Sequence, residues 1–283
     1  MLSPEQEKYI LRHAYIPEHV VSLMVGLSGG EPFYENGYVY FVKKDVLIFI
    51  GYRLPEIFLP DDCGPFMRQI IKKFCPETTW FIAPEIPPSL KNEVQERERD
   101  FYYILKVASA NFRQRLLRET EKAARQLVVI KSREFSAEHI LLTKEYIGQE
   151  NLPGKIKELF NRLPEYIKYS SSSLILSAWD EQGKLCAYYI LELAGERFIT
   201  YVLGGYSKKN YVPHASDLLF FEMYKLAKEM QKEYIHLGLG VNEGIRRFKI
   251  KWGGVPYLQY EAGAIISKSK LYLSLFNTLK EKL

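Results

Sequence analysis

The sequence is poor in the residues that build metal clusters and disulfide frameworks. Of 283 residues, three are cysteine and five histidine. Cys63, Cys75 and Cys186 form no C-x-x-C pair, and no nearby histidine completes a zinc-ligand spacing, so no metal is expected. The cysteines read as reduced thiols packed as small buried hydrophobes. Long apolar runs are missing as well: no stretch approaches the roughly twenty residues of a membrane span. The opening MLSPEQEKYI is polar and acidic, where a secretory signal is basic and then apolar. These absences exclude a disulfide-stapled secreted module and a membrane-spanning chain, and they predict a soluble cytoplasmic protein. Strong charge imbalance is lacking too. The 39 basic and 34 acidic residues leave a net charge of +5, which favours anionic partners without choosing among phosphate, lipid headgroup and nucleic acid.

What is present is ordinary globular material, 47% hydrophobic and 14% aromatic, enough for one large core or two modest ones. Ser3 can cap a first helix, with Glu5 and Glu7 in its first turn, and Pro17 opens a second that ends at glycines. PFYENGYVYFVKKDVLIFIGY alternates around Asn36-Gly37 and Lys44-Asp45, the pattern of a three-stranded meander. A helix near 63–75, a strand TTWFIAP, a short helix near 89–96 and a strand RDFYYILKV follow. After a basic helix NFRQRLLRETEKAARQL and a strand LVVIKS, the order returns. Ser136 and Pro153-Gly154 open two helices, and a second meander turns at 180–183 and 194–196. A helix 215–231, a buried strand 233–239, a short helix 243–251 and a strand 255–266 complete the repeat. The expected division is an N-terminal unit 1–109, a connecting basic helix 110–126 and a C-terminal unit 127–283. The fold class is α+β, with mixed sheets that pass from antiparallel hairpins to a parallel β-α-β crossover.

The richest motif is LGLGVNEGIRRFKIKWGG, where two arginines and two lysines crowd a glycine-rich segment after an apolar strand. The order of elements resembles the GNAT acyltransferase fold, in tandem. The run Gly-x-x-x-Phe-Lys-x-x-aromatic-Gly, here Gly244, Phe248, Lys249, Trp252 and Gly253, resembles the Fem-type branch of that superfamily over about 204–260. The lysyl-phosphatidylglycerol synthase catalytic domain, also a tandem GNAT, is the near competitor by resemblance.

The resemblance implies a donor seat where the fourth strand of a unit splays from the fifth, with phosphates at the next helix's amino terminus. That places Gly204, Gly205, Tyr206 and the 214–217 turn, with His214, Ser216 and Asp217, at the donor, and Lys208 and Lys209 near its phosphates. The usual GNAT pyrophosphate signature is absent, with the loop YSKKNYVPHAS in its place, which counts against ordinary acetyl-CoA binding and agrees with the aminoacyl-tRNA donor that the Fem-type resemblance implies; acyl-CoA and aminoacyl-tRNA are both carried as the expected donor. Ser216 or Asp217 as a plain helix cap is an equally good reading. The Fem-type pattern carries a cleft-facing cation to Lys249, and Arg246 lies one helical turn earlier as a second phosphate ligand. His236 on the fifth strand is weighed as the base against a satisfied core histidine, and Tyr201 or Tyr206 as an acid. Ile245, Phe248 and Trp252 form an apolar stripe; Arg247 and Lys251 read as solvated.

The implied reaction is transfer of an acyl or aminoacyl group to an acceptor amine by direct attack, since neither Cys186 nor any serine has a base partner for a covalent route. Rival readings are aminoacyl transfer to a lipid headgroup and a non-catalytic binding protein on the same fold. The basic helix, with Arg113, Arg115, Arg118, Lys122 and Arg125, suits a tRNA or headgroup, but its apolar face reads first as structural. LYLSLFNTLKEKL reads as a helix packed on its domain, and nothing indicates peripheral membrane contact. Acceptor and oligomeric state are left open.

Overall fold

The computed structural model describes residues 2–56, 62–149 and 154–267. In chain order, α1 is Pro4–His13 and α2 is Val21–Ser28. The strands β1 Glu31–Glu35, β2 Tyr38–Lys43 and β3 Val46–Ile50 come next, then α3 Gly64–Phe74, β4 Thr78–Ala83 and β5 Glu96–Lys106. The second half holds α4 Gln114–Ala124, β6 Leu127–Ser132, α5 Ala137–Gln149, α6 Gly154–Tyr169, β7 Ser173–Asp180, β8 Leu185–Glu192 and β9 Phe198–Tyr206. It closes with α7 Ala215–Glu229, β10 Tyr234–Leu239, α8 Glu243–Lys251 and β11 Val255–Ile266. The expected Pro153 helix start and the LYLSLFNTLKEKL helix lie outside the described residues.

Local chemistry accounts for the boundaries. Ser3 Oγ accepts the Gln6 N–H at 3.1 Å while Gln6 Oε1 accepts the Ser3 N–H at 3.0 Å, a reciprocal cap that starts α1. Asn36 and Gly37, at φ 52° and 84°, form the left-handed pair that a two-residue hairpin between β1 and β2 requires. Two expected helices differ. The one from Pro17 splits into a single 3-10 turn, Pro17–His19, and α2, because Val20 is extended. The helix expected near 89–96 is a 3-10 turn, Pro88–Leu90, beside two prolines. Cys63 and Cys186 are buried as expected, whereas Cys75 is exposed at the left-handed end of α3.

The described residues form two compact units: one drawn from 2–13, 28–56, 62–101 and 258–267, the other from 14–27, 102–149 and 154–257. In the first, β1, β2 and β3 are antiparallel neighbours, α3 returns the chain so that β4 runs parallel to β3, and β11 pairs antiparallel with β4. Tyr40, Phe49, Met67 and Phe81 fill its core. In the second, β6 to β9 form an antiparallel meander, α7 returns the chain so that β10 runs parallel to β9, and β5 pairs antiparallel with β10. Its core gathers Leu176, Ala187, Ile199, Leu219, Met223, Ile235 and Trp252.

Element order repeats in the sequence, but the contacts divide the chain differently. The last strand of the first repeat, β5, pairs through Tyr102–Lys106 with β10, and the last strand of the second, β11, pairs through Glu261–Ile266 with β4. The basic helix α4 belongs to the second unit rather than standing apart: Leu116 and Ala123 enter its core, and Arg113, Arg118 and Arg125 stay exposed. No helix among the described residues is long and apolar enough to cross a membrane.

Candidate functional site

β9 and β10 hold together for only three residue pairs, Phe198–Tyr234, Ile199–Ile235 and Thr200–His236. Beyond them β9 continues to Tyr206 along β8, and β10 continues to Leu239 along β5. The register of β10 on β5 shifts between His236 and Gly238, and Gly238 sits at φ 73°, a conformation a side-chain-bearing residue resists. The two parallel strands stop pairing at Thr200 and His236, which leaves an opening in the ladder between their released edges.

Lys249 reaches this opening from α8. Asn242 Oδ1 accepts the Ile245 N–H at 2.9 Å to begin that helix, and Gly253, at φ 82°, ends it. Trp252 is fully buried, stacked on Phe220 at 4.8 Å between ring centroids. That anchor sets the rotation of α8 and turns Lys249 inward, to 5% exposure. Its Nζ donates to the Leu239 carbonyl and lies 5.8 Å from the Tyr103 ring centroid. A Cβ at Gly238 would stand 4.0 Å from the ammonium, so the bare residue leaves it room.

The sequence reading joined Lys249 and Arg246 on one cationic side; burial separates them. Arg246 and Arg247 are exposed and pair with Glu243 at 3.4 and 2.9 Å, and Lys251 pairs with Asp217 at 2.5 Å.

His236 lies beside the last strand pair, fully buried, with its ring edge-on to Tyr102 at 5.0 Å. Burial, then the nearby charges of Lys249 and His19, hold its pKa well below 6.5, so the ring is neutral. The Gly238 N–H donates to Nδ1 at 3.2 Å, which puts the ring proton on Nε2. That nitrogen and Thr200 Oγ1 are both buried without a hydrogen-bond partner among the described residues. His236 is thus a buried neutral donor beside Tyr102 and Phe198, and the proton-accepting role weighed from sequence does not suit this tautomer.

A second buried group nearby went unmarked in the sequence. Glu18, on the 3-10 turn, has Oε2 buried, and desolvation raises its carboxyl from 4.5 to about 7 against the opposing bond from Tyr102. A proline-initiated turn gives no hint that its glutamate points inward.

The expected donor seat is differently built. A Cβ at Gly204 would lie 2.5 Å from the Tyr188 carbonyl and from Tyr189, and one at Gly205 would lie 3.3 Å from Leu142 and 3.4 Å from Tyr146. Their bare faces receive the protein's own side chains, so the glycines serve packing and leave no phosphate cradle. Tyr206 packs on Tyr146 at 5.5 Å, and Tyr201 on Tyr189 at 4.8 Å. Burial raises the Tyr201 hydroxyl far above 10 and keeps it protonated.

The start of α7 is likewise occupied. Asp217 Oδ1 accepts the Trp252 indole N–H at 2.8 Å, and its Oδ2 lies 3.0 Å from His214 Nδ1. The Ser216 carbonyl accepts the Tyr189 hydroxyl at 3.0 Å. Asp217 ties α8 to α7, and its carboxylate competes with any anion at that helix end. Lys208 and Lys209 are exposed residues, and their backbone N–H groups donate to Glu145 Oε1 at 2.8 and 3.1 Å. Of the residues nominated from sequence, Lys249 lies at the end of β10 over the Tyr103 ring, and His236 is fully buried on the other face of the sheet beside Tyr102; the others are packed or exposed.

No protein-family model matches the chain, and no curated protein matches its sequence. Solved structures do. FemX superposes with a TM-score of 0.62 at 12% identity, covering 96% of this chain and 98% of that one. L-PGS from Bacillus licheniformis gives 0.58 at 16%, covering 92% and 91%. A tandem GNAT protein from the clavulanic acid biosynthesis pathway gives 0.53 at 9%, covering 93% and 96%. At such identities the likeness is one of fold, and it runs over nearly the whole chain. The protein has the mixed-sheet tandem GNAT fold, and its resemblance extends to a Fem-type protein.

Proposed function

We propose that this protein is an N-acyltransferase that moves an acyl or aminoacyl group from an activated donor, acyl-CoA or aminoacyl-tRNA, to an acceptor amine by direct attack. The observation that carries the reading is Lys249, 5% exposed on α8, with its ammonium donating to the Leu239 carbonyl where β10 no longer pairs with β9. A buried cation is costly to keep, and an ammonium at the end of β10 would stabilise a carbonyl oxygen that gains negative charge during attack.

The amine nitrogen forms a bond to the donor carbonyl carbon, and the bond to sulfur or ribose oxygen breaks. The proton lost by the amine matches the proton gained by the leaving group, so no net proton is consumed. Lys249 would stabilise the oxyanion between these steps. The neighbours named FemX and L-PGS support aminoacyl transfer as a form of this reaction.

Lys249→Met tests the site. Turnover should fall by about a hundredfold or more, while the melting temperature holds or rises because a buried charge is replaced by an apolar chain of like volume. Unchanged turnover would refute the assignment. Thermal shifts with CoA, acyl-CoA and charged tRNA identify the donor, since a ligand of the folded state raises the melting temperature.

A further inference from the structure

The turn after β9 aims three donors at one carboxylate. Ser207 Oγ donates to the two oxygens of Glu145 at 3.0 and 3.1 Å, and the backbone N–H groups of Lys208 and Lys209 donate to Oε1 at 2.8 and 3.1 Å. The Asn210 N–H donates to Ser207 Oγ at 2.9 Å and holds the turn in shape, and Ser207 itself is buried at 1% exposure. Consecutive amides and a hydroxyl converging on one oxygen make an anion-binding concavity. The anion bound in it is the protein's own.

Glu145 arrives on α5, whose Leu142 and Tyr146 cover Gly205 one strand residue away from Tyr206. The carboxylate is therefore delivered by a helix already packed on the end of β9. Lys208 and Lys209 are exposed residues on the same turn and raise the local potential. A phosphate entering the turn would have to break four hydrogen bonds and then sit beside a released carboxylate.

We propose that the 207–209 turn is a phosphate-binding nest held filled by Glu145, so that Glu145 makes the protein reject a pyrophosphate-carrying ligand at the end of β9. The inference rests on the transferase reading for the kind of donor at stake, but the nest is testable without it. It makes Glu145 a specificity-determining residue of the donor side and, of the two donors proposed above, favours aminoacyl-tRNA over acyl-CoA.

The test is calorimetric titration of the full chain with inorganic pyrophosphate and with CoA, for wild type, Glu145→Ala and Glu145→Gln. Wild type should take up neither ligand at millimolar concentration, and Glu145→Ala should gain affinity for pyrophosphate by about tenfold or more. Glu145→Gln keeps an acceptor oxygen for the two amides, so it guards against loss of the turn and should gain affinity to a lesser degree. Wild-type binding equal to that of Glu145→Ala would overturn the inference, as would a folded Glu145→Ala with no gain. If Glu145→Ala does not fold, Glu145→Gln decides: a gain over wild type supports the plug and equality overturns it. Wild-type CoA binding would remove the plug yet leave the transferase reading standing, whereas unchanged turnover in Lys249→Met would remove that reading and leave the nest.

Discussion

At the scale of single residues, burial sorts the polar groups of this protein more sharply than charge does. Lys249 and Arg246 are three positions apart on one short helix, yet one is inside and the other paired with Glu243 in solvent. Glu18 is the complementary case. Its folded pKa of about 7 lies above the ordinary 4.5, so its stabilising contribution is fully present below pH 4.5 and is lost as pH rises toward and through 7. At about 1.4 kcal/mol per pH unit, that interval corresponds to roughly 3 kcal/mol. Denaturant unfolding of Glu18→Gln and wild type at pH 4.5 and pH 8 should show the variant gaining on wild type by about that amount at the higher pH; parallel curves would place the carboxylate in water. His236 works in the opposite sense. Its depressed pKa contributes stability above pH 6.5 that is lost as pH falls.

At the scale of elements, the glycines and the tryptophan of the candidate site are packing devices. Gly204→Ala puts a methyl group 2.5 Å from a backbone carbonyl, which cannot swing aside, and should cost roughly 1–3 kcal/mol. Gly205→Ala meets only side-chain atoms, at 3.3 Å and beyond, and should cost less. Thermal unfolding of the pair separates this account from a ligand cradle, which predicts two stable variants with lost donor affinity. Trp252→Ala empties a fully buried site in the core of the second unit and should cost about 3–5 kcal/mol. It would also free the rotation of α8, so turnover should fall further than stability explains. Lys251→Ala, at the exposed end of the same helix, provides the comparison.

At the scale of the whole molecule, the closing strands decide what can stand alone. A fragment ending at residue 109 lacks β11, the antiparallel partner of β4, and a fragment beginning at 110 lacks β5, the antiparallel partner of β10. Each leaves a buried strand with a bare edge, so circular dichroism and proteolysis should find both fragments unfolded or aggregated. Mixing them during refolding should restore resistance to protease; two independently stable fragments would contradict the strand pairing.

The order of elements, the hairpin turns, the cap of α8 and the inward stripe of Phe248 and Trp252 were legible in the sequence, because each depends on residues within about a turn of one another. The tandem GNAT likeness followed from that order together with one motif. Local rules stop where partners are distant. That β5 pairs with β10 and β11 with β4, that Asp217 holds Trp252 from 35 residues away, and that Glu145 fills a turn some 62 residues along the chain depend on packing between segments that no periodicity connects. The sequence by itself determined the order of the strands and main helices and which cation to suspect. Only the tertiary structure decided which polar groups are buried, because desolvation is a property of everything that surrounds a side chain rather than of its neighbours in sequence.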